Sequence, residues 1–307
     1  MDLGPGIFKD ARNETMLLFL AGGAARGHAG VRVVRTTAAL FPRALEEFEI
    51  TQDDWISPEG DPWLVRVTPE HGTILKKLHA ARFRLGKLCT INQGLRTGDN
   101  ETYLAEKPRG ATWKAAAGGS EIGRYEPISK RLYVRYEPAL LDAPRHPEIF
   151  ESPAKIVVQE IRNIALPRRI VATLDRDRTY CLQSTNVINP SDSCPLDVRY
   201  LLGVLNSAAA NYFFRLSFPR NNHIPSNQLA RIPVPEPTAE EAERLVALVE
   251  EMLSTQTKLA ATRTAPEKVT LERQMEALDR RMDRLVYELY ALSEAEIRTV
   301  EAASNAA

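Results

Sequence analysis

The sequence is poor in the residues that build disulfide and metal sites. Of 307 residues, three are cysteine (Cys89, Cys181, Cys194) and five are histidine (His28, His71, His79, His146, His223). The cysteines are too few and too scattered for a disulfide framework or a zinc site, which points to a reducing, cytoplasmic setting. The histidines are dispersed as well. His71 and His79 could share a helix, but at that separation they cannot chelate one ion. Long apolar runs are also missing. The longest, Met16 to Gly22, is strand-length, far short of the ~18–20 residues of a membrane span, so no membrane partner is expected. No basic stretch precedes an apolar core at the N-terminus, so no secretory signal is expected.

Catalytic patterns are missing too. There is no phosphate-cradling loop with its Lys-Ser/Thr end, no nucleophile elbow and no paired-histidine metalloprotease motif. Ala21 to Gly27 is glycine-rich but lacks dinucleotide-binding spacing, and reads as a loop between strands. Asp175 and Asp177 alternate with Arg176 and Arg178, which reads as a turn with local ion pairs rather than a metal pair. No nuclease-type carboxylate-x-lysine strand stands out. The chain therefore reads as non-catalytic, with no catalytic, cofactor-binding or metal residue assigned.

Net charge is the last thing lacking: 40 basic residues balance 40 acidic ones. A nucleic-acid binder normally leaves a basic footprint. Divided along the chain, the balance resolves into a net −4 for residues 1–70, +10 for 71–235 and −6 for 236–307. The middle segment is as basic as a binding domain should be, and the changes of sign mark candidate boundaries. With 44% hydrophobic and 26% charged residues, the composition is that of a globular chain, and the length allows about two domains.

Residues 1–75 read as short strands. Thr15 to Leu20 and Val31 to Val34 read as a pair across the glycine-rich loop, with further strands at Phe48 to Ile56 and Trp63 to Val67. Thr68-Pro69 opens a helix that Gly86 ends. Leu88 to Asn92 and Thr102 to Ala105 read as a β-hairpin around Gly94 to Asn100. Strand patterns recur at Arg131 to Tyr136, Lys155 to Glu160, Ile170 to Leu174 and Thr185 to Ile188, and Val198 to Phe214 is helical by pattern. Pro233, Pro235 and Pro237 alternate, which excludes helix and suggests an extended linker. Beyond it, Thr238-Ala239-Glu240-Glu241 is a capping box. Apolar residues then recur at spacings of three and four through Leu259, and again from Leu271 to Leu292. This predicts an antiparallel coiled-coil hairpin, followed by a short helix capped by Ser293 and Glu296. The fold class expected is α+β: a mixed, mostly antiparallel recognition domain followed by the helical hairpin.

Three constellations suggest DNA. The loop after Asn92 displays Gln93, Arg96, Thr97 and Asn100, and amides and guanidinium groups read base edges bidentately. The alternative is that Asp99 and Asn100 serve the turn backbone. Arg162, Arg168 and Arg169 cluster around Pro167, either as a phosphate-binding surface or as a solvated face. Arg220, Asn221, Asn222 and His223 crowd into a loop between Pro219 and Pro225. Tyr125, Tyr133 and Tyr136 sit near Arg124, Arg131 and Arg135 and could donate to phosphates with them, although buried sheet aromatics are the blander reading of the tyrosines.

Several of these patterns together resemble a family. Ile91 to Asn100 is similar to the glycine, two residues, threonine-glycine-asparagine/aspartate signature that opens the recognition domain of TaqI-like adenine-specific DNA methyltransferases, found in type IIG restriction-modification enzymes and phage-exclusion systems. Ile122-Gly123-Arg124-Tyr125 resembles the family's next motif. Lys155 to Val158, Gln183 to Ile188, the leucine-asparagine-serine run at Leu205 to Ser207, Ile232 to Pro235 and Arg284 to Leu292 follow in the family's order. The resemblance implies an N-terminal remnant of an α/β methyltransferase fold at 1–75, a target-recognition domain at 76–235 and a helical hairpin at 236–307. It implies double-stranded DNA as partner, with adenine-N6 methylation supplied by a catalytic portion or subunit. The family's asparagine-proline-proline motif and glycine-rich cofactor loop do not occur here. By the resemblance they would lie upstream or on a partner, and S-adenosylmethionine would bind there. The rival readings are a protein-interaction module built on the coiled coil, with no DNA role, and an enzyme of unrecognised chemistry.

Overall fold

The computed structural model describes residues 2–4, 15–17, 30–37, 43–44, 46–51, 67–129, 131–219 and 222–305. They form two compact units, Met1–Lys76 and Lys77–Ala307. Among the described residues, no helix is long and apolar enough to cross a membrane.

The first unit holds a four-stranded sheet: β1 (Asp2–Gly4), β2 (Thr15–Met16), β3 (Gly30–Arg35) and β4 (Glu46–Thr51). The order is β2-β1-β3-β4. The pairing expected between Thr15 to Leu20 and Val31 to Val34 does not form. β1 lies between them, antiparallel to β2 and parallel to β3. A strand of Asp, Leu and Gly has no apolar alternation, so nothing in its pattern announces it. The glycine-rich loop and most of Trp63 to Val67 lie outside the described residues.

Helix α1 (Pro69–His79) follows. It ends well before Gly86, because β5 (Phe83–Arg84) pairs with β14 (Pro233–Val234). The proline run is thus extended, as its φ restriction requires, but it is no free linker. Tyr290 and Tyr200 donate their hydroxyls to the Pro233 and Pro235 carbonyls at 2.8 and 3.0 Å, in the interior.

The second unit is built on two further sheets. The first, β11 (Ala172–Asp175), β10 (Lys155–Gln159), β13 (Thr185–Pro190) and β6 (Cys89–Gln93), is antiparallel throughout. The second takes β12 (Tyr180–Cys181), β8 (Trp113–Ala117), β9 (Leu132–Arg135) and β7 (Leu104–Ala105), with only β12 and β8 parallel. The expected hairpin between Leu88 to Asn92 and Thr102 to Ala105 is therefore replaced: β6 pairs with β13, and β7 joins the other sheet. Val157, Val187, Leu95, Val134, Phe150 and Tyr180 belong to one buried cluster that the two sheets share. All four residues from Lys155 to Val158 are buried, the mark of a strand covered on both faces. Lys155 is fully buried, where its ammonium meets the Phe150 carbonyl at 2.6 Å and the Asp175 carboxylate. Asp175 is therefore paired across strands rather than with its neighbouring arginines, and it also accepts from the Thr179 amide at 2.8 Å.

Helix α2 (Val198–Asn206) covers β10 and β11. The expected single helix from Val198 to Phe214 is broken at Ser207, which caps α3 (Ala208–Ser217) by accepting from the Ala210 amide at 3.1 Å. Apolar periodicity runs through the break, which hides it. Helices α4 (Ala239–Ala261) and α5 (Ala265–Leu289) form the expected hairpin, and α6 (Glu294–Asn305) follows. Both capping boxes are present, with the Thr238 and Ser293 amides donating to Glu241 and Glu296 at 2.7 Å each. Gly203 lets α2 approach α4 closely, since a Cβ there would stand 3.0 Å from Val249 and 3.1 Å from Leu245.

Candidate nucleic-acid interface

The three sequence constellations meet different fates. The loop leaving β6 is held by backbone bonds from both sheets. Gly94 passes so close under the chain that a Cβ would lie 2.2 Å from the Leu182 carbonyl oxygen, so this crossing admits only glycine. The Gly94 and Leu95 amides donate to Thr185 and Cys181, and Arg96 and Ala143 exchange backbone bonds in both directions. Thr97 is 4% exposed and donates to the Asn100 carboxamide oxygen at 2.6 Å. Asp99 accepts from the Glu101 and Thr102 amides, capping the turn that follows. Thr97 thus serves the loop's own architecture, and so does one end of the Asn100 amide.

Arg96 projects outward. Its Nε meets Asp142 at 2.5 Å while the side chain stays 55% exposed. Gln93 donates through Nε2 to the Gln183 carbonyl at 3.0 Å. One residue that the sequence reading missed joins them. Arg145 is exposed, adopts a left-handed backbone (φ 59°), and donates from Nε to the Gln93 carbonyl at 3.0 Å. Tyr136 holds the Arg145 carbonyl at 2.7 Å. A non-glycine residue in that region costs about 1–2 kcal/mol and persists where surroundings impose it. Pro144 and Pro147 bracket this arginine and were the available signal. Gln93, Arg96 and Arg145 therefore form one patch of donors around the end of β6.

The second constellation divides. Arg162 is half-buried; its Nε donates to the Arg168 carbonyl at 2.5 Å and an Nη to Gln159 at 3.0 Å. Arg168 turns inward to the Asn206 carbonyl (2.8 Å), Asp279 (3.2 Å) and Asp283 (3.1 Å). Arg124 joins the same cluster, donating to the Asn206 carbonyl at 3.0 Å and to Asp279. Burial works against the Arg124 charge, but Tyr125, Asp279 and Asp283 hold it above the usual arginine value. Arg169 is fully buried, 5.8 Å over the Phe214 ring, where burial lowers its basicity and the Arg162 and Arg215 charges add to the effect. Arg124, Arg168 and Arg169 are thus interior groups that tie the sheets to α5 and α3, not a phosphate-facing surface.

In the third constellation, Arg220 and Asn221 lie outside the described residues. Asn222 and His223 are exposed and lie against the loop after β10. Asn222 accepts from the Arg162 amide through its carbonyl and from the Ile164 amide through its side chain, both at 2.8 Å. His223 Nδ1 sits 2.9 Å from Glu160, with half of its ring side in solvent. The described residues therefore offer two outward-facing polar sites: Gln93, Arg96 and Arg145, and Asn222 with His223. Among the described residues, no three His, Cys, Asp or Glu side chains come together as a metal site.

Comparison with known proteins bears on the segment that carries Arg145, Asn222 and His223, and not on the loop of Gln93 and Arg96. The family described as the TaqI-like C-terminal specificity domain matches residues 115–234, from β8 to β14. No curated protein matches the sequence. Among solved structures, the type IIL restriction-modification enzyme MmeI, solved in complex with DNA, is similar with a TM-score of 0.48 and 10% identity, covering 73% of this chain and 36% of that one. The HsdS subunit from Thermoanaerobacter tengcongensis gives 0.38 and 16%, covering 72% of this chain and 50% of that one. The chain thus spans half or less of the length of these two proteins. Residues 115–234 of this chain are thus similar to the TaqI-like C-terminal specificity domain.

Proposed function

We propose that the chain recognises a specific sequence in double-stranded DNA, as the specificity portion of an adenine-N6 DNA methyltransferase or restriction-modification system. The observation that carries this reading is the specificity-domain match at 115–234, which falls on the most basic segment of the chain. Geometry supports it. Gln93 and Arg96, on a loop whose backbone is fixed by two sheets, and Arg145, held to the Gln93 carbonyl, present amide and guanidinium groups of the kind that read base edges. A rigid loop holds its donors where the edges lie, so little ordering entropy is lost on binding. Methyl transfer from S-adenosylmethionine to an adenine flipped out of the duplex would belong to a catalytic partner or portion outside this sequence. The helical hairpin is packed on the specificity domain through Asp279 and Asp283, so it fixes the posture of the recognition sheets.

The test is duplex binding by fluorescence anisotropy over a range of salt. Contacts to ~6–10 phosphates predict affinity falling by about three to five orders of magnitude between 50 and 200 mM salt. Salt-independent binding, or none, contradicts the reading and favours a protein-interaction module. Plasmid cleavage by the isolated chain with magnesium would favour an enzyme instead.

A further inference from the structure

Gly94 carries the end of β6 close beneath the turn that joins β12 to β13, and this brings segments distant in sequence to one point. Gln93 is the joint. Its backbone carbonyl accepts from Arg145 Nε at 3.0 Å, and its side-chain Nε2 donates to the Gln183 carbonyl at 3.0 Å. Arg145 and Gln183 thus meet on one residue, although neither is near it in the chain.

Both side chains keep their outer ends unused. Arg145 is exposed, and Nε is the one nitrogen of its guanidinium that bonds among the described residues. The carboxylates three residues to either side, Asp142 and Glu148, face Arg96 and His146 at 2.5 and 3.4 Å. Both Nη groups therefore remain as a free fork on an anchored stem. Gln183 is exposed as well, and its carboxamide makes no bond among the described residues.

The backbone beneath each is fixed. Arg145 keeps a φ of 59°, which glycine adopts without strain, and Tyr136 holds its carbonyl at 2.7 Å. A turn that needed only this geometry would be served by glycine, so the use of the position lies in the guanidinium. Around Gln183, the Leu182 amide donates to Ala117 at 2.8 Å, the Thr185 amide to Leu182 at 2.9 Å and the Gly119 amide to the Ser184 hydroxyl at 2.8 Å. Arg145 and Gln183 both lie inside the specificity-domain match at 115–234.

The two end groups complement different bases. A guanidinium fork offers two donors and matches guanine O6 and N7, whereas a carboxamide offers a donor and an acceptor and matches adenine N7 and N6. We propose that Arg145 reads a guanine and Gln183 an adenine in one DNA site, with Gln93 positioning both, Arg145 through its carbonyl and Gln183 through its side chain. The proposal rests on the DNA-recognition reading above and adds to it the bases read and the residue Gln183. Because both bonds are made to one residue, the two bases fall within a few steps, of about 3.4 Å each, of one another.

The experiment takes the full chain and the duplex it enriches from a random-sequence pool. Affinity is measured by anisotropy with 7-deazaguanine or 7-deazaadenine placed singly along that site, since each analogue lacks the N7 acceptor that the readers need. For the wild type, one guanine and one adenine replacement, a few steps apart, should each weaken binding about ten-fold or more. Arg145→Gly, which suits the left-handed backbone, should become indifferent to that guanine analogue alone, and Gln183→Ala to that adenine analogue alone. Gln93→Ala should blunt the adenine response and spare the guanine one, because its carbonyl stays in place. Urea midpoints close to the wild type show that the variants fold. If the wild type enriches a site but no purine in it responds, or if Arg145→Gly or Gln183→Ala responds to both analogues as the wild type does, the base assignment is overturned while the DNA reading stands. If the wild type enriches no site, both fall.

Discussion

The Asn206 carboxamide pairs with the backbone of Ala172 as a neighbouring strand would: its Nδ2 donates to the Ala172 carbonyl at 2.9 Å and its Oδ1 accepts from the Ala172 amide at 3.0 Å. Asn206 is the last residue of α2, so one side chain satisfies both polar groups of a residue on the open edge of β11. Its own carbonyl accepts from Arg124 and Arg168. Five residues on, Asn211 of α3 accepts from the Ile170 amide at 2.7 Å. The break between α2 and α3 therefore places two asparagines against one strand, and the strand leads back to the loop of residues 160–169.

Replacing Asn206 should be costly. Asn206→Leu takes the side-chain partner from the buried Ala172 amide, at about 1–3 kcal/mol, while the Ala172 carbonyl keeps the Tyr125 amide at 3.0 Å. Urea unfolding of the full chain should show a midpoint lowered accordingly. An unchanged midpoint would mean that water replaces the amide.

Arg124 and Arg168 separate architecture from recognition. Arg168→Met removes a guanidinium shared by Asp279 and Asp283, and leaving these partly buried carboxylates should destabilise the chain by about 2–4 kcal/mol. Affinity of the folded variant for DNA should keep its dependence on salt, because the guanidinium does not face outward. A salt slope reduced by about one would place Arg168 on a phosphate instead.

His79 predicts a pH dependence. Burial first, then the nearby Arg84 charge, lowers its basicity from the usual 6.5. The folded chain therefore holds fewer protons at this site than the unfolded chain. The contribution of His79 is fully present above pH 6.5 and is lost as pH falls through 6.5 toward the folded value. Chemical unfolding between pH 7.5 and 5 should show stability declining with acid, and His79→Leu should flatten the curve. An identical slope in the variant would assign the effect elsewhere.

Gly94 tests the crossing between sheets. Gly94→Ala drives a Cβ into the Leu182 and Cys181 carbonyls. The variant should lose more than the ~1 kcal/mol typical of a single substitution. Its Gln93 to Asn100 amides should exchange hydrogen faster than those of α5. Wild-type stability and exchange would show that the crossing is not tight.

Much of this architecture was legible in the sequence. The hairpin could be read because its apolar spacing and capping boxes are local signals, and β9, β10, β11 and β13 follow their residue patterns. Long-range pairing was not legible. β6 turns from its expected hairpin partner because Gly94 lets the chain cross, a fact written in Cys181 and Leu182, far along the sequence. The helix break at Ser207 hid inside an unbroken apolar pattern. Among the site residues, arginines that share one charge divide by burial: Arg96 faces solvent, whereas Arg169 lies in the core. Spacing carries no information about that division. Arg145 was passed over because its value comes from the Gln93 carbonyl, distant in sequence.

The central claim is that this chain reads a DNA sequence through the loop at the end of β6. The most direct measurement is selection of bound duplexes from a random-sequence pool at moderate salt, with wild type and Arg96→Ala in parallel. The wild type should enrich one defined site. The variant should relax the preference at one position, by ~1–3 kcal/mol if the guanidinium makes one bidentate pair. A wild type that binds the whole pool evenly, or a variant that enriches the same site to the same degree, would contradict the account.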